Sequence, residues 1–239
     1  MKPDMKKILN IKKDIRLEKK NDKEHKLYIY GAIGGWFSDN DADTIRHKLN
    51  EIKSEKIHVH INSGGGSAFD GIAICNLLKQ HDAEIIVHID GWAASAASII
   101  AMAGDKIIMP SNTMMMIHQA STFEYGNADD FEKVAKDLRK IDTAIRQTYM
   151  NRFVGTEEEL AELLKEETWL TADEALALGL ADEVTEEIEI DDKLQDNTHI
   201  ENFKNNLVSK YAAQVNNKKQ EKEPIQKSVK NLGKLFLNL

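Results

Sequence analysis

From Leu27 onward, short apolar runs alternate with longer stretches in which apolar residues return every three or four positions. The runs at 27–32, 57–62, 85–90, 106–109 and 114–118 are too short for helices and rich in Ile, Val, Leu and Met, so they predict strands. The helical period occupies 39–54, 68–80 and 93–102 between them. Short connections between such alternating segments predict one compact α/β domain of stacked βαβ units.

The stretch 127–153 differs in kind. Phe131, Val134, Leu138, Ile141 and Ile145 step by three, four, three and four, with charges on the other faces. That spacing predicts a long amphipathic helix whose apolar seam needs a partner, either the protein's own core or a neighbouring subunit. Thr156 followed by Glu159 reads as a capping box that opens the next helix, and Thr171-Ala172-Asp173-Glu174 opens another. Past Asp192 the composition turns to Asn, Gln and Lys, as a flexible polar extension would. The predicted organisation is a basic leader over 1–26, a domain over 27–192 and the extension over 193–239.

A length of 239 residues suits such a domain with tails. A formal net charge of −8 excludes a general affinity for nucleic acid. Charge is uneven, with ten Lys/Arg against five Asp/Glu in the first 26 residues and six acids without a base from Glu183 to Asp192. The acids read as a solvated exit from the domain. Cys75, alone of its kind, lies in an apolar helical pattern and reads as a buried structural thiol. The leader has no continuous apolar core and no later run approaches a membrane span, so a cytoplasmic protein is expected. His58 and His60 share a strand face and would make half a metal site, but no acid or thiol stands at ligand spacing, and no metal is expected.

Three loops carry the chemistry. The strand at 57–62 runs into Gly64-Gly65-Gly66, where bare N–H groups can face an anion or an oxyanion, although neither a phosphate loop nor a dinucleotide fingerprint is present. The stretch Gly91-Trp92-Ala93-Ala94-Ser95-Ala96-Ala97-Ser98 places Ser95 in the first turn of a predicted helix, where free N–H groups favour developing negative charge. Ser98, one turn further on, reads as packing, its hydroxyl bonded back to the Ala94 or Ser95 carbonyl. The strand Met114-Met115-Met116-Ile117 ends at His118. If these strands share a sheet, hydroxyl, imidazole and N–H donors meet at one edge.

Ile-Asn-Ser-Gly-Gly-Gly, Gly-Trp-Ala-Ala-Ser, Met-Ile-His-Gln and Trp-Leu-Thr-Ala-Asp-Glu-Ala-Leu-Ala-Leu-Gly-Leu-Ala-Asp, in this order, resemble the proteolytic subunit of the Clp protease family over about 27–184. The resemblance implies a ClpP/crotonase-type α/β fold of stacked ββα units with a long protruding handle helix at about 127–153. It implies a serine endopeptidase with Ser95 as nucleophile, His118 as general base and the Gly66 and Ala96 N–H groups as oxyanion hole. It further implies a substrate groove at Gly65, Thr122, Phe123, Glu124 and Tyr125, with a strand over 122–127. Stacked homo-oligomeric rings, protein substrates and no cofactor follow from it. Glu167 stands where the family has its orienting aspartate, with Glu166 and Asp173 nearby. Gly64 replaces a usual proline, and the leader is shorter and more basic than the family's axial hairpin.

These departures resemble the phage and prophage branch, which implies a head-maturation protease cutting scaffold and capsid proteins without an ATPase. A housekeeping subunit working with an ATP-driven unfoldase is the alternative within the family. A signal-peptide-peptidase type would need a lysine base, and Lys106 is on the wrong element to serve. A crotonase-like acyl-CoA enzyme would use the oxyanion donors without the serine, and an inactive ring-forming scaffold would use none of them.

Overall fold

The structure is a computed structural model that describes residues 14–34 and 40–186. The proposed extension at 193–239 and the first part of the leader lie outside these residues. Eight strands among the described residues form one sheet. β1 (Asp14–Asn21) and β2 (Glu24–Tyr30) make an antiparallel hairpin. β3 (Lys56–Ser63), β4 (Glu84–Ala94) and β5 (Lys106–Pro110) follow in parallel, and β8 (Glu183–Thr185) closes the edge.

The hairpin departs from the expected leader, since most of 14–26 is strand. Ile15 and Leu17 alternate with Arg16 and Glu18, a period of two that the density of charge hides.

β3 shows why the sheet is one-sided: Ile57, Val59, Ile61 and Ser63 are buried while Lys56, His58, His60 and Asn62 are half-buried on the opposite face. Ile85, Val87 and Ile89 of β4 continue the buried face. Helices α1 (Ala42–Asn50), α2 (Ala68–Lys79) and α3 (Ala96–Ala101) belong to the same hydrophobic core through Ile45, Leu49, Ile74, Leu78 and Ile100. Each fully buried branched side chain stabilises the fold by about 1.5–3 kcal/mol relative to exposure. Cys75 is buried there with its thiol pushed up to about 11 by that burial, as its apolar setting predicts.

The opposite face carries a polar ladder. His60 stacks on Tyr28 and on His88, with ring centroids 4.8 and 4.7 Å apart. Asp90 reaches His60 at 2.9 Å, a partner hidden by linear spacing. Burial, helped by His60 and His58, pushes the His88 imidazole down to about 4. No three His, Cys, Asp or Glu side chains among the described residues are placed to hold a metal ion.

β4 is the element that builds the site. Its first part pairs with β5, from Ile86↔Lys106 to His88↔Ile108. After a register shift against β3, its last residues pair with β6 (Met114–Ile117), through Trp92↔Met114, Ala93↔Met115 and Ala94↔Met116. β7 (Thr168–Thr171) lies antiparallel to β6. One strand thus serves both branches of the sheet. The ends of β4 and β6 come level.

α4 (Ala128–Met150) is the predicted long helix, capped by Asn127 and Asp130. Ile145 and Tyr149 on it are buried, Val134, Leu138 and Ile141 are half-buried, and Phe131 is 51% exposed, so its apolar seam is uncovered at its first turn. α5 (Glu157–Lys165) and α6 (Ala172–Ala177) start with the expected capping boxes at Thr156 and Thr171. No helix among the described residues is long and apolar enough to cross a membrane.

Candidate active site

Small residues bring the backbone of this region unusually close together. Ala93, Ala94, Ala96 and Ala97 are all buried, and β4 continues through Ala94 where a helix was expected to begin. Ser95 is therefore the residue between strand and helix, not the first turn itself. Its φ of 57° and ψ of −126° are unfavourable for a residue with a Cβ. The neighbours hold it there: its N–H donates to the Met116 carbonyl at 2.9 Å, and its carbonyl accepts from the Ser98 N–H at 3.0 Å. A reversal this sharp leaves Oγ at the sheet edge.

His118 follows β6 directly, so parallel pairing of β4 with β6 sets it beside Ser95. Nε2 and Oγ are 2.7 Å apart. Burial lowers the imidazole below its ordinary value, opposed by the carboxylates of Glu167 and Asp142. A depressed value keeps the ring neutral near pH 7, the form able to accept a proton.

The glycine loop closes the site from β3. Gly65 has a φ of 90°, and a Cβ on it would lie 2.6 Å from the Ala94 oxygen and from Ser95 Cβ. The Ile33 N–H donates to the Gly65 carbonyl and the Ser67 N–H donates to the Ile33 carbonyl, at 2.9 and 2.8 Å. Both neighbours of the Gly66 N–H are thereby engaged. That N–H itself makes no hydrogen bond among the described residues. Ala96 opens α3, so its N–H has no acceptor within the helix.

Ser98 is structural. Fully buried, its Oγ lies 2.6 Å from the Ser95 oxygen, 2.9 Å from the Met116 oxygen and 2.7 Å from the Tyr149 hydroxyl. With one hydrogen to give, it donates to one of these carbonyls and accepts from Tyr149. It thus ties α3, β6 and α4 together behind the candidate nucleophile.

Glu167 sits in the turn before β7 with a φ of 53°, the only non-glycine besides Ser95 at positive φ among the described residues. Its carboxylate acts on His118 through space, without a hydrogen bond between them. The second carboxylate acting on His118 is Asp142 of α4, which sequence reasoning missed; its signal was an acid set between Ile141 and Ile145 of the apolar seam. Glu166 and Asp173 have no comparable influence, and Lys106 begins β5, paired with Glu183.

A cavity of about 190 Å³ opens beside Ser95 and His118. Ile99, Leu138, Ile141 and Ile145 wall it, and Gly66 and Thr122 line it too. The expected groove strand over 122–127 is absent from the single chain, because no described strand runs alongside it to take its hydrogen bonds. Phe123 and Tyr125 are 87% and 97% exposed and Glu124 is exposed, so of these four residues only Thr122 reaches the cavity.

The Clp protease family model matches residues 16–188. The ATP-dependent Clp protease proteolytic subunit of Deinococcus radiodurans is 31% identical over 136 residues, 56% of this chain, and the match spans 66% of that relative's length. A mutant of ClpP1 from Listeria monocytogenes superposes with a TM-score of 0.59 at 26% identity, over 67% of this chain and 91% of that one. Ser95, His118 and the glycine loop lie within the matched span, and the chain belongs to the Clp protease family.

Proposed function

We propose that the protein is a serine endopeptidase, and the observation that carries this is the 2.7 Å approach of His118 Nε2 to Ser95 Oγ. Oγ attacks the scissile carbonyl carbon while Nε2 takes its proton. The resulting oxyanion is met by the Gly66 and Ala96 N–H groups. The C–N bond then breaks, the proton passes from His118 to the leaving amine, and water activated by the same imidazole releases the acyl group. The wall of Ile99, Leu138 and Ile141 suits an apolar side chain beside the scissile bond. Crotonase-like chemistry would leave the serine and histidine without a purpose.

Glu167 steadies the imidazolium as the proton arrives. Its action through space sets the size of the effect. Glu167→Ala should lower kcat/KM between about ten- and hundredfold, short of the roughly 10⁴-fold that follows loss of a directly bonded triad carboxylate. Because the carboxylate raises the His118 pKa, its removal should also move the acid limb of the rate profile to lower pH. A pH–rate profile of the variant that overlays wild type would assign the steadying role elsewhere.

The departures at Gly64 and Glu167, the basic leader and the polar extension support an ATP-independent head-maturation protease of a phage or prophage, acting in the host cytoplasm on capsid or scaffold proteins. The exposed Phe131 and half-buried Val134 at the start of the α4 seam support assembly into homo-oligomeric rings through this helix. The second reading, a housekeeping subunit with an ATPase partner, is favoured by the likeness to the Deinococcus subunit. Co-expression with the capsid and scaffold proteins of the same replicon separates them. Cleavage by wild type without nucleotide, absent in His118→Ala, is expected; intact substrate in both, with cleavage only after adding an ATP-driven unfoldase, would reverse the assignment.

A further inference from the structure

His118 stands on a segment that has no helix or strand of its own after Ile117. Two consecutive N–H groups hold that segment from different directions. Gln119 N–H donates to the Leu164 carbonyl at the end of α5, 3.0 Å away. Ala120 N–H donates to Oδ1 of Asp142 at 2.7 Å, from the middle of α4. Asp142 is half-buried beside Ile141 and Ile145, which wall the cavity. An inward carboxylate at such a place on an otherwise apolar seam costs desolvation, which its bond to a backbone N–H offsets.

The tether matters because Ser95 is the one hydrogen-bond partner of the imidazole among the described residues. Ser95 Oγ meets Nε2, but Glu167 makes no hydrogen bond to the ring. Orientation must then come through the backbone of 118–120. We propose that Asp142 is a positioning residue for proton transfer: by holding the Ala120 N–H it fixes where His118 stands relative to Ser95, and it makes the register of α4 part of the site. This rests on the peptidase reading. The carboxylate has a second consequence, since with Glu167 and the Ser95 hydroxyl it completes the polar surroundings of the ring and favours its charged form.

Two substitutions separate tether from charge. Asp142→Ala removes both, whereas the amide oxygen of Asp142→Asn can still accept from the Ala120 N–H. Labelling of Ser95 by a fluorophosphonate, per folded protein, should slow about a hundredfold in Asp142→Ala, the scale of a misplacement of roughly 1 Å. Asp142→Asn should recover most of that loss, with its labelling midpoint moved to lower pH. Labelling of Asp142→Ala at the wild-type rate, or of Asp142→Asn as slow as Asp142→Ala, would overturn the proposal.

Deuterium exchange followed by mass spectrometry on the full chain provides a readout independent of chemistry. The amides of Gln119 and Ala120 and the imidazole C2 of His118 should exchange faster in Asp142→Ala and near the wild-type rate in Asp142→Asn. Equal protection in Asp142→Ala and wild type would show that Asp142 holds nothing. If wild type is not labelled at all, the peptidase reading fails, and exchange still decides the tether.

Discussion

Ser95→Ala is expected to abolish fluorophosphonate labelling and to reduce peptide hydrolysis by about 10⁶-fold, the scale seen when a nucleophile is removed from a serine protease site. His118→Ala should cost nearly as much, because a neutral serine hydroxyl without a base is a weak nucleophile. The two losses should not add. Combined in one chain, they should leave the same residual rate as either alone, since the pair acts as a unit through its 2.7 Å contact. Additive losses would mean that the two residues work separately, and labelling that survives in Ser95→Ala would place the reactive group elsewhere. Oligomeric state should be unchanged in all three variants.

Gly65→Ala should be strongly damaging as well. A methyl group there would meet the Ala94 oxygen and Ser95 Cβ at 2.6 Å and the Ala96 nitrogen at 2.9 Å, all on the segment around Ser95. The backbone φ of 90° adds strain that only glycine avoids. Crowding and strain together should lower stability by about 2–5 kcal/mol. Moving the strand end displaces Ser95 and the Ala96 N–H at once, so labelling should fall by at least about a hundredfold. Thermal unfolding and labelling rates measured on the same sample test both parts. A variant that melts and reacts like wild type would show that the loop stands further from Ser95 than these contacts require.

Much of this was legible beforehand for physical reasons. Strand-length apolar runs located β2 to β6, and the meeting of Ser95 with His118 followed from two parallel strands ending level. Tertiary pairing overrode local pattern elsewhere. Ala93-Ala94 looks helical because alanine favours helices, yet hydrogen bonds from β6, with β3 alongside, keep it extended. β7 and β8, four and three residues long, are too short to show a period. Helical periodicity found the seam of α4, but a period says which face is buried and nothing about what a polar group at its margin touches. Asp142 and Tyr149, with the Ala120 N–H and the Ser98 hydroxyl as partners, were therefore invisible until the helix was in place. Glu167 was found as a position, while its left-handed backbone was not.

The dependence of both Ser95 and His118 on β6 has a diagnostic consequence. Ser95 hangs from the Met116 carbonyl and His118 continues the same strand, so a shift of β6 carries both side chains as one body. The Gly66 donor rides on a different strand and would be left behind. A form of the protein switched off by such a slip would keep its serine–histidine hydrogen bond. Spectroscopy of that bond would therefore report an intact pair in an idle enzyme, and only a ligand that fills the oxyanion position, such as a boronate, would tell the two states apart.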